Sequence, residues 1–282
     1  MTEGPGTLYV VSTPIGHLGD MTFRAVETLR ACDCIAAEDT RRTRQLLSHF
    51  AITGKDLERL DAHASEGHVA RVVERLTHGQ SVALVTDAGT PSVSDPGEVL
   101  VNAAIEAGVR VVPIPGASAV LAALASSGLA AGGSFRFVGF LPRSGPERRG
   151  ALAELAATAE PVVLFEASNR LRATLRDVAE ATPNRRVCVA RELTKVHEEL
   201  VRGTCAELAG DEREWRGEVA VVLGAHAPDE RAEQIDDDAL DARIVEELAR
   251  GERARTVAEK LAAWSGRPKR EVYERVIARK RG

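Results

Sequence analysis

A chain of 282 residues, 44% hydrophobic and 28% charged, has the length of two ordinary domains and the composition of a soluble globular protein. A net charge of −5 argues against wholesale nucleic-acid coating. No apolar run approaches the roughly 20 residues of a membrane span, and no basic-then-apolar leader opens the chain, so a cytoplasmic, membrane-free protein is expected.

Apolar strand-like runs alternate with helical patterns, the mark of an α/β architecture. "TLYVVST" reads as a first strand and "MTFRAVETLRACD" as a helix with Thr22 as its cap. "CIAAE" is a second strand, followed by helices in "RRTRQLLSHF" and "GHVARVVERLTHG". "SVALVTD" and "RVVPIPG" are strands separated by the helix "GEVLVNAAIEAG". After "GASAVLAALASSGL" the pattern restarts with strands "FRFVGFL", "PVVLFEA", "RVCVAREL" and "GEVAVVLGA" and helices near residues 152–159 and 171–181. The expected organisation is an N-terminal α/β domain over residues 1–116, a second over 117–228 and a tail over 229–282. Residues 229–247 hold nine acids and two arginines, and residues 251–282 hold ten Lys/Arg and four acids, an acidic connector before a basic tail. Within it, "TVAEKLAAWSGRPKREVYERVIAR" reads as two amphipathic helices, either a packed hairpin or an RNA-contacting appendage.

Cys32, Cys34, Cys188 and Cys205 are too few and scattered for a disulfide framework. Cys32-Asp33-Cys34 reads as small strand residues, and no His/Cys/Asp spacing points to a metal. Ligands of open α/β sheets sit beyond the strand ends, where four Pro/Gly loops occur: "STPIGHLGD", "AEDTRRTR", "TDAGTPSVSDPG" and "PIPGASA". Neither a triphosphate loop nor a dinucleotide fingerprint is present. The loop carrying Asp87 and Asp95 is acidic and has no lysine, which suits a ligand with ribose hydroxyls, an amino group and a positive centre. S-adenosylmethionine has all three.

The blocks "YVVSTPIGHLGDMTFRA", "IAAEDTRRTRQLL", "VALVTDAGTPSVSDPG", "VPIPGASA", "GFLPR" and "VARELTKVHEELVRGT" resemble, in order, the ribosomal RNA small subunit methyltransferase I family within the tetrapyrrole methylase superfamily. The resemblance implies two α/β domains of the tetrapyrrole methylase type, a cofactor cleft between them, and a small C-terminal helical segment. It implies S-adenosylmethionine-dependent 2′-O-methylation of a cytidine ribose in the decoding region of 16S rRNA, within the assembled subunit or free, by a homodimer. Cofactor contacts are then expected from Pro14, Asp87, Ala88, Gly89, Val93, Ser118, Ala119, Ala167 and Leu193. Each also has a plain reading: Ser118 as a helix cap, Leu193 as core, Pro14 as a turn former. The chain departs from the family's usual form at His17, Ala117, "LFEASNR" and "LDAHASEGH", where His63 stands for one histidine of a richer block.

A ribose hydroxyl is a poor nucleophile until its proton is drawn away, so a carboxylate base is wanted. By analogy with related enzymes, Glu38 and Asp39 are the candidates. Glu38 could instead pair with Arg41 or Arg42, and Asp39 could cap the next helix. Arg41, Arg42, Arg44 and Arg143, with Lys269 and Arg270 in the tail, are candidate RNA phosphate contacts. Arg148 and Arg149 are either further contacts or a solvated helix face. Lys195, His197, Glu198 and Glu199 form a charged cluster, some of it expected in the cleft. The rivals are a methylase of a porphyrin-like ring and a non-catalytic RNA-binding relative.

Overall fold

In the computed structural model every residue of β2 (Cys34–Ala37) and β4 (Val82–Val85) is buried, as inner strands of a parallel sheet covered on both faces must be. The structure describes residues 5–60, 66–94, 97–130, 132–225, 237–250, 252–265, 267 and 269–281. With β1 (Thr7–Val11), β3 (Asp56–Arg59) and β5 (Arg110–Ile114), these strands form a sheet of order β3-β2-β4-β1-β5, parallel throughout. Successive strand residues point to opposite faces, and each face has its own core. Ile35, Ala37, Ala83 and Val85 pack with Val26 and Leu29 of α1 (Phe23–Ala31) and Leu47 of α2 (Thr40–His49). Cys34, Ala36, Val82 and Leu84 pack instead with Val72 and Leu76 of α3 (Glu66–Thr77) and Leu100 and Ala104 of α4 (Glu98–Glu106).

The second sheet comprises β6 (Arg136–Phe140), β7 (Val162–Ala167), β8 (Arg186–Arg191), β9 (Glu199–Thr204) and β10 (Glu218–Leu223), in order β6-β7-β10-β8-β9. Only β6 and β7 pair in parallel. The helix that follows β5, α5 (Ala119–Ser127), packs Val120, Ala123 and Leu124 on one face of this sheet. Leu155 of α6 (Gly145–Ala157), Leu171 and Leu175 of α7 (Ser168–Ala181) and Leu208 of α8 (Cys205–Gly210) cover the other. Both sheets belong to one compact unit that ends at Gly224. All four cysteines are free and buried.

Two strands, β3 and β9, are not among those expected from the sequence; each is an edge strand with charged residues. Helix α6 starts seven residues before Leu152, with Pro146 in its first turn, where a missing N–H leaves no bond unmade.

The C-terminal unit departs further from expectation. Its described part is three helices, α9 (Asp237–Ala249), α10 (Ala254–Ser265) and α11 (Lys269–Arg281), closed on Leu240, Ile244, Val257, Leu261, Val272 and Val276. From Asp237 onward the acidic connector is therefore a packed helix. Its acids also pair with the basic segment: Asp237 pairs with Arg267 (2.7 Å), just before α11, and with Arg275 (2.9 Å), and Asp241 pairs with Arg275 (2.7 Å) and Arg279 (2.6 Å). The connector's residues 229–236, together with His63 and Asp95, lie outside the described residues. Among the described residues no helix is long and apolar enough to cross a membrane, and no group of three or more His, Cys, Asp or Glu could hold a metal ion.

Hydrogen bonds from Arg275 and then Arg279 hold the largely buried Asp241 carboxyl down at about 2. A depressed carboxyl contributes stability that is present above its ordinary range near 4 and is lost as pH falls through the folded value. Asp241→Asn should therefore cost about 1–2 kcal/mol at pH 7, after discounting for the water that reaches the pair. Urea unfolding should show this gap to the native protein closing between pH 4 and pH 2. A gap independent of pH would mean the pairs contribute nothing through their charge.

Candidate functional site

β1 and β4 are neighbours, yet the helices that follow them, α1 and α4, cover opposite faces of the sheet. The loops leaving the two strands must part, and this opens the crevice where such sheets bind ligands. Backbone bonds hold its floor. Thr13 N–H donates to Gly89 O (2.8 Å), and Gly89 N–H donates back to Thr13 O (3.1 Å). The Thr13 hydroxyl donates to Thr86 O (3.1 Å), and Ser12 Oγ lies 3.0 Å from Thr90 Oγ1.

The second sheet supplies the opposite wall. The loop after β8 meets the loop after β1, where His17 N–H donates to Thr194 Oγ1 (3.1 Å). Gly16 is pressed so closely there that a Cβ would lie 2.5 Å from Lys195 Cγ and 2.8 Å from Thr194 Oγ1. Lys195 Nζ bridges Glu192 (3.0 Å) and Glu218 (2.9 Å), and the backbone N–H of Glu218 is the chief influence holding the Glu192 carboxyl below its usual range. Of the charged cluster expected after β8, Lys195 and Glu198 anchor this loop, Glu198 by accepting from Thr194 N–H (2.6 Å). Glu199 lies in β9 and pairs with Arg191 and Arg213.

Between the walls lies a cavity of about 480 Å³. It gathers Glu38, Asp87, Ala88, Gly89, Val93, Ser118, Ala119, Ala167 and Leu193 of the expected site residues, and Arg42 of the expected phosphate contacts. Pro14 is buried and does not line it; the adjacent Ile15 does. Asp39 lies outside the lining; it accepts from Arg41 N–H (2.8 Å) and caps α2, the alternative its position also allowed. Arg41 pairs with Asp39 (3.2 Å), and Arg44 and Arg143 are exposed outside the lining. Lys269 and Arg270 belong to the C-terminal unit and are paired with Glu259 (2.6 Å) and Glu274 (3.0 Å). Arg148 is a structural residue, clasping Asp177 (2.6 Å) and Thr174 (3.0 Å).

Sequence reasoning missed the hydroxyls of Thr86, Thr90 and Ser94, the rings of Phe140 and Phe165, and the stretch Gly217 to Ala220. The last opens β10, which reads as plain core. Because β10 runs antiparallel between β7 and β8, its start lies opposite their ends: Glu218 faces Ala167, and Val219 faces Arg191. Only the strand order reveals this.

The electrostatics centre on two carboxylates. Glu38 Oε2 accepts from the Thr86 hydroxyl (2.6 Å) and from Asp87 N–H (3.2 Å), which fixes its orientation. Asp87 Oδ2 pairs with Arg42 (3.2 Å), while its Oδ1 is buried without a partner. Burial pushes the Asp87 carboxyl above its usual range; the Glu38 charge adds to this and Arg42 opposes it. A buried acceptor with no donor is costly unless a ligand supplies one.

The family model for tetrapyrrole (corrin/porphyrin) methylases matches residues 7–209. The chain is 42% identical over 275 residues to the ribosomal RNA small subunit methyltransferase I of Halalkalibacterium halodurans, covering 96% of this chain and 94% of that one. It is 44% identical over 275 residues to the protein of the same name from Synechocystis sp., covering 95% and 96%. Among solved structures, its fold is similar to uroporphyrin-III C-methyltransferase from Thermus thermophilus complexed with S-adenosyl homocysteine, with a TM-score of 0.55 at 20% identity over 78% of this chain and 97% of that one. A diphthine synthase aligns with a TM-score of 0.60 at 18% identity, over 78% and 92%.

The contact at Gly16 generates a test. Gly16→Ala must displace backbone and side chain of the facing loop, so it should cost about 1–3 kcal/mol and weaken ligand binding in the cavity. Gly150→Ala, in α6 with nothing within 4 Å of the added methyl, should instead stabilise by about 0.5–1 kcal/mol. Thermal unfolding of both variants checks the pair; equal effects would show that the loop contact carries no weight.

Proposed function

Because the chain belongs to the ribosomal RNA small subunit methyltransferase I family of the tetrapyrrole methylases, we propose that it methylates the 2′-hydroxyl of a cytidine in small-subunit ribosomal RNA, using S-adenosylmethionine. The observation that carries this reading is a similarity spanning about 95% of the chain, joined to a cavity lined by four carboxylates (Glu38, Asp87, Glu166 and Glu218) and several hydroxyls.

The residues present fit the cofactor. The cavity is of ligand size, and the buried Asp87 Oδ1 wants a donor, which ribose hydroxyls and an ammonium both supply. Arg42 is the one cation among the described lining residues and is paired with Asp87, and Lys195 answers only one of the Glu192 and Glu218 charges, so with Glu38 the surroundings stay acidic, as a positive ligand requires. Asp87, Val93, Ser118, Ala167 and Leu193 would hold it. When bound, S-adenosylmethionine supplies an electrophilic methyl group on a positively charged sulfur.

The protein's own task is then positioning and proton removal. Glu38 is the proposed base. Its Oε2 is held by Thr86 and Asp87, and Oε1 has no hydrogen-bond partner among the described residues. That oxygen takes the proton of the ribose hydroxyl. Arg44 and Arg143, exposed and without an acidic partner among the described residues, hold phosphates and orient the strand. Arg41 can join them by exchanging its carboxylate partner, a pair worth only about 0–1 kcal/mol; Lys269 and Arg270 are proposed as phosphate contacts of the C-terminal unit by itself, through the same exchange. The same reading includes the assembled small subunit as acceptor and a homodimer.

The experiment supplies labelled S-adenosylmethionine to the purified protein with 30S subunits from a strain lacking the gene, and maps the label. A single ribose-methylated cytidine is expected. Label on a base, or turnover of uroporphyrinogen in its place, would overturn the reading.

Two variants separate the carboxylates. Glu38→Gln should leave cofactor affinity intact and slow single-turnover methyl transfer about 10²–10⁴-fold. Asp87→Asn should weaken cofactor binding whatever the acceptor. Since Asp87 titrates above the usual carboxylate range and binds best when ionised, native affinity should fall as pH drops through that raised value. Calorimetry across pH checks this, and the Asn variant should lack the dependence. A Glu38→Gln enzyme working at the native rate would leave positioning alone to carry the reaction.

A further inference from the structure

β6 and β7 begin in simple parallel register, with Arg136 opposite Val162 and Phe137 opposite Val163, yet Phe140 lies opposite Phe165. Three steps along β6 thus match two along β7. The extra residue falls at Val138-Gly139, and Gly139 adopts φ +65°, a conformation that glycine takes without strain. A bulge of this kind re-aims the side chain that follows it.

In a regular strand, residues three apart point to opposite faces. Here the bulge turns Phe137 and Phe140 toward the same neighbour, Phe165, with ring centroids at 5.1 and 5.6 Å. The two rings differ in what they do. Phe137 packs on the core beneath α5. Phe140 lines the cavity and remains 60% exposed. The chain has only six phenylalanines, and three of them are spent on this braced stack. Three residues beyond Phe140 stands Arg143, exposed and without an acidic partner among the described residues.

A solvent-facing ring, supported from behind by a second ring and followed three residues later by an exposed arginine, has the chemistry of a stacking platform for an unpaired nucleobase. Resting on the RNA reading above, we propose that the base of the acceptor nucleotide stacks on Phe140, with Arg143 on a neighbouring phosphate, so that the ribose enters the cavity. Every base has a π-face, so this contact positions the nucleotide without choosing it.

The test uses full-length native protein and the variants Phe140→Ala, Phe140→Leu and Phe140→Trp. Cofactor affinity is measured by calorimetry, and methyl transfer in single turnovers on unmethylated 30S subunits with saturating cofactor. Cofactor affinity should be unchanged in all four. Transfer should fall roughly 10- to 100-fold in both the Ala and Leu variants and stay near native in the Trp variant, because stacking needs a flat ring rather than apolar bulk. Indole fluorescence of the Trp variant should be quenched by the subunits more than that of native protein. Recovery of the rate by Leu would make Phe140 a packing residue, and weaker cofactor binding in the Ala variant would assign the ring to the cofactor; either overturns the proposal alone. Native protein that methylates no ribosomal RNA would overturn the RNA reading itself, and this proposal with it.

Discussion

The two backbone hydrogen bonds between Thr13 and Gly89 are the constraint on which the site depends. Loops that leave adjacent parallel strands toward opposite faces have no reason to stay together, and this pair ties them at the point where they diverge. The result is a crevice with a floor. Everything in the first wall is referenced to it: Ile15 follows one strand of the tie, and Thr86, Asp87 and Thr90 flank the other. Being backbone bonds, they leave the side chains of the wall free for chemistry.

Charge in the crevice is arranged around scarcity of cations. Glu38 and Asp87 are linked through the Asp87 N–H, and Arg42 answers one of the two charges. Burial and the Glu38 charge both make ionised Asp87 expensive. The fold thus holds an unfavourable charge in place, a form of preorganisation. On the far wall Lys195 is consumed by Glu192 and Glu218, so it sets the loop without adding positive field to the ligand space.

Much of this was legible in the sequence because inner strands of a doubly covered sheet must be apolar throughout, as "VALV" and "CIAA" are. The edge strand "DLER" carries no such obligation, since water reaches it, and nothing in its pattern marks a strand. Helix α9 was hidden for a different reason. Its acids look like a solvated connector until the arginines they face, thirty or more residues later, are known. Loop residues of the site were recognisable from the family resemblance and from Gly, Pro and hydroxyl clustering. Phe140 and the start of β10 were not, because a bulge and an antiparallel neighbour place them there.

The contact of His17 with Thr194 joins points 177 residues apart, and the cavity draws on residues from Ile15 to Ala220. At a synthesis rate of about 5–20 residues per second, the first sheet leaves the ribosome roughly 5–20 s before the strands that close the cavity. Through that interval the Asp87 loop faces water, its carboxylate is solvated, and no second wall exists to enclose a ligand. Any ligand of the finished cavity is therefore captured only when the α/β unit is nearly complete. A small molecule that binds only the finished form acts by mass action on the last step of folding, and gives no help to the earlier ones.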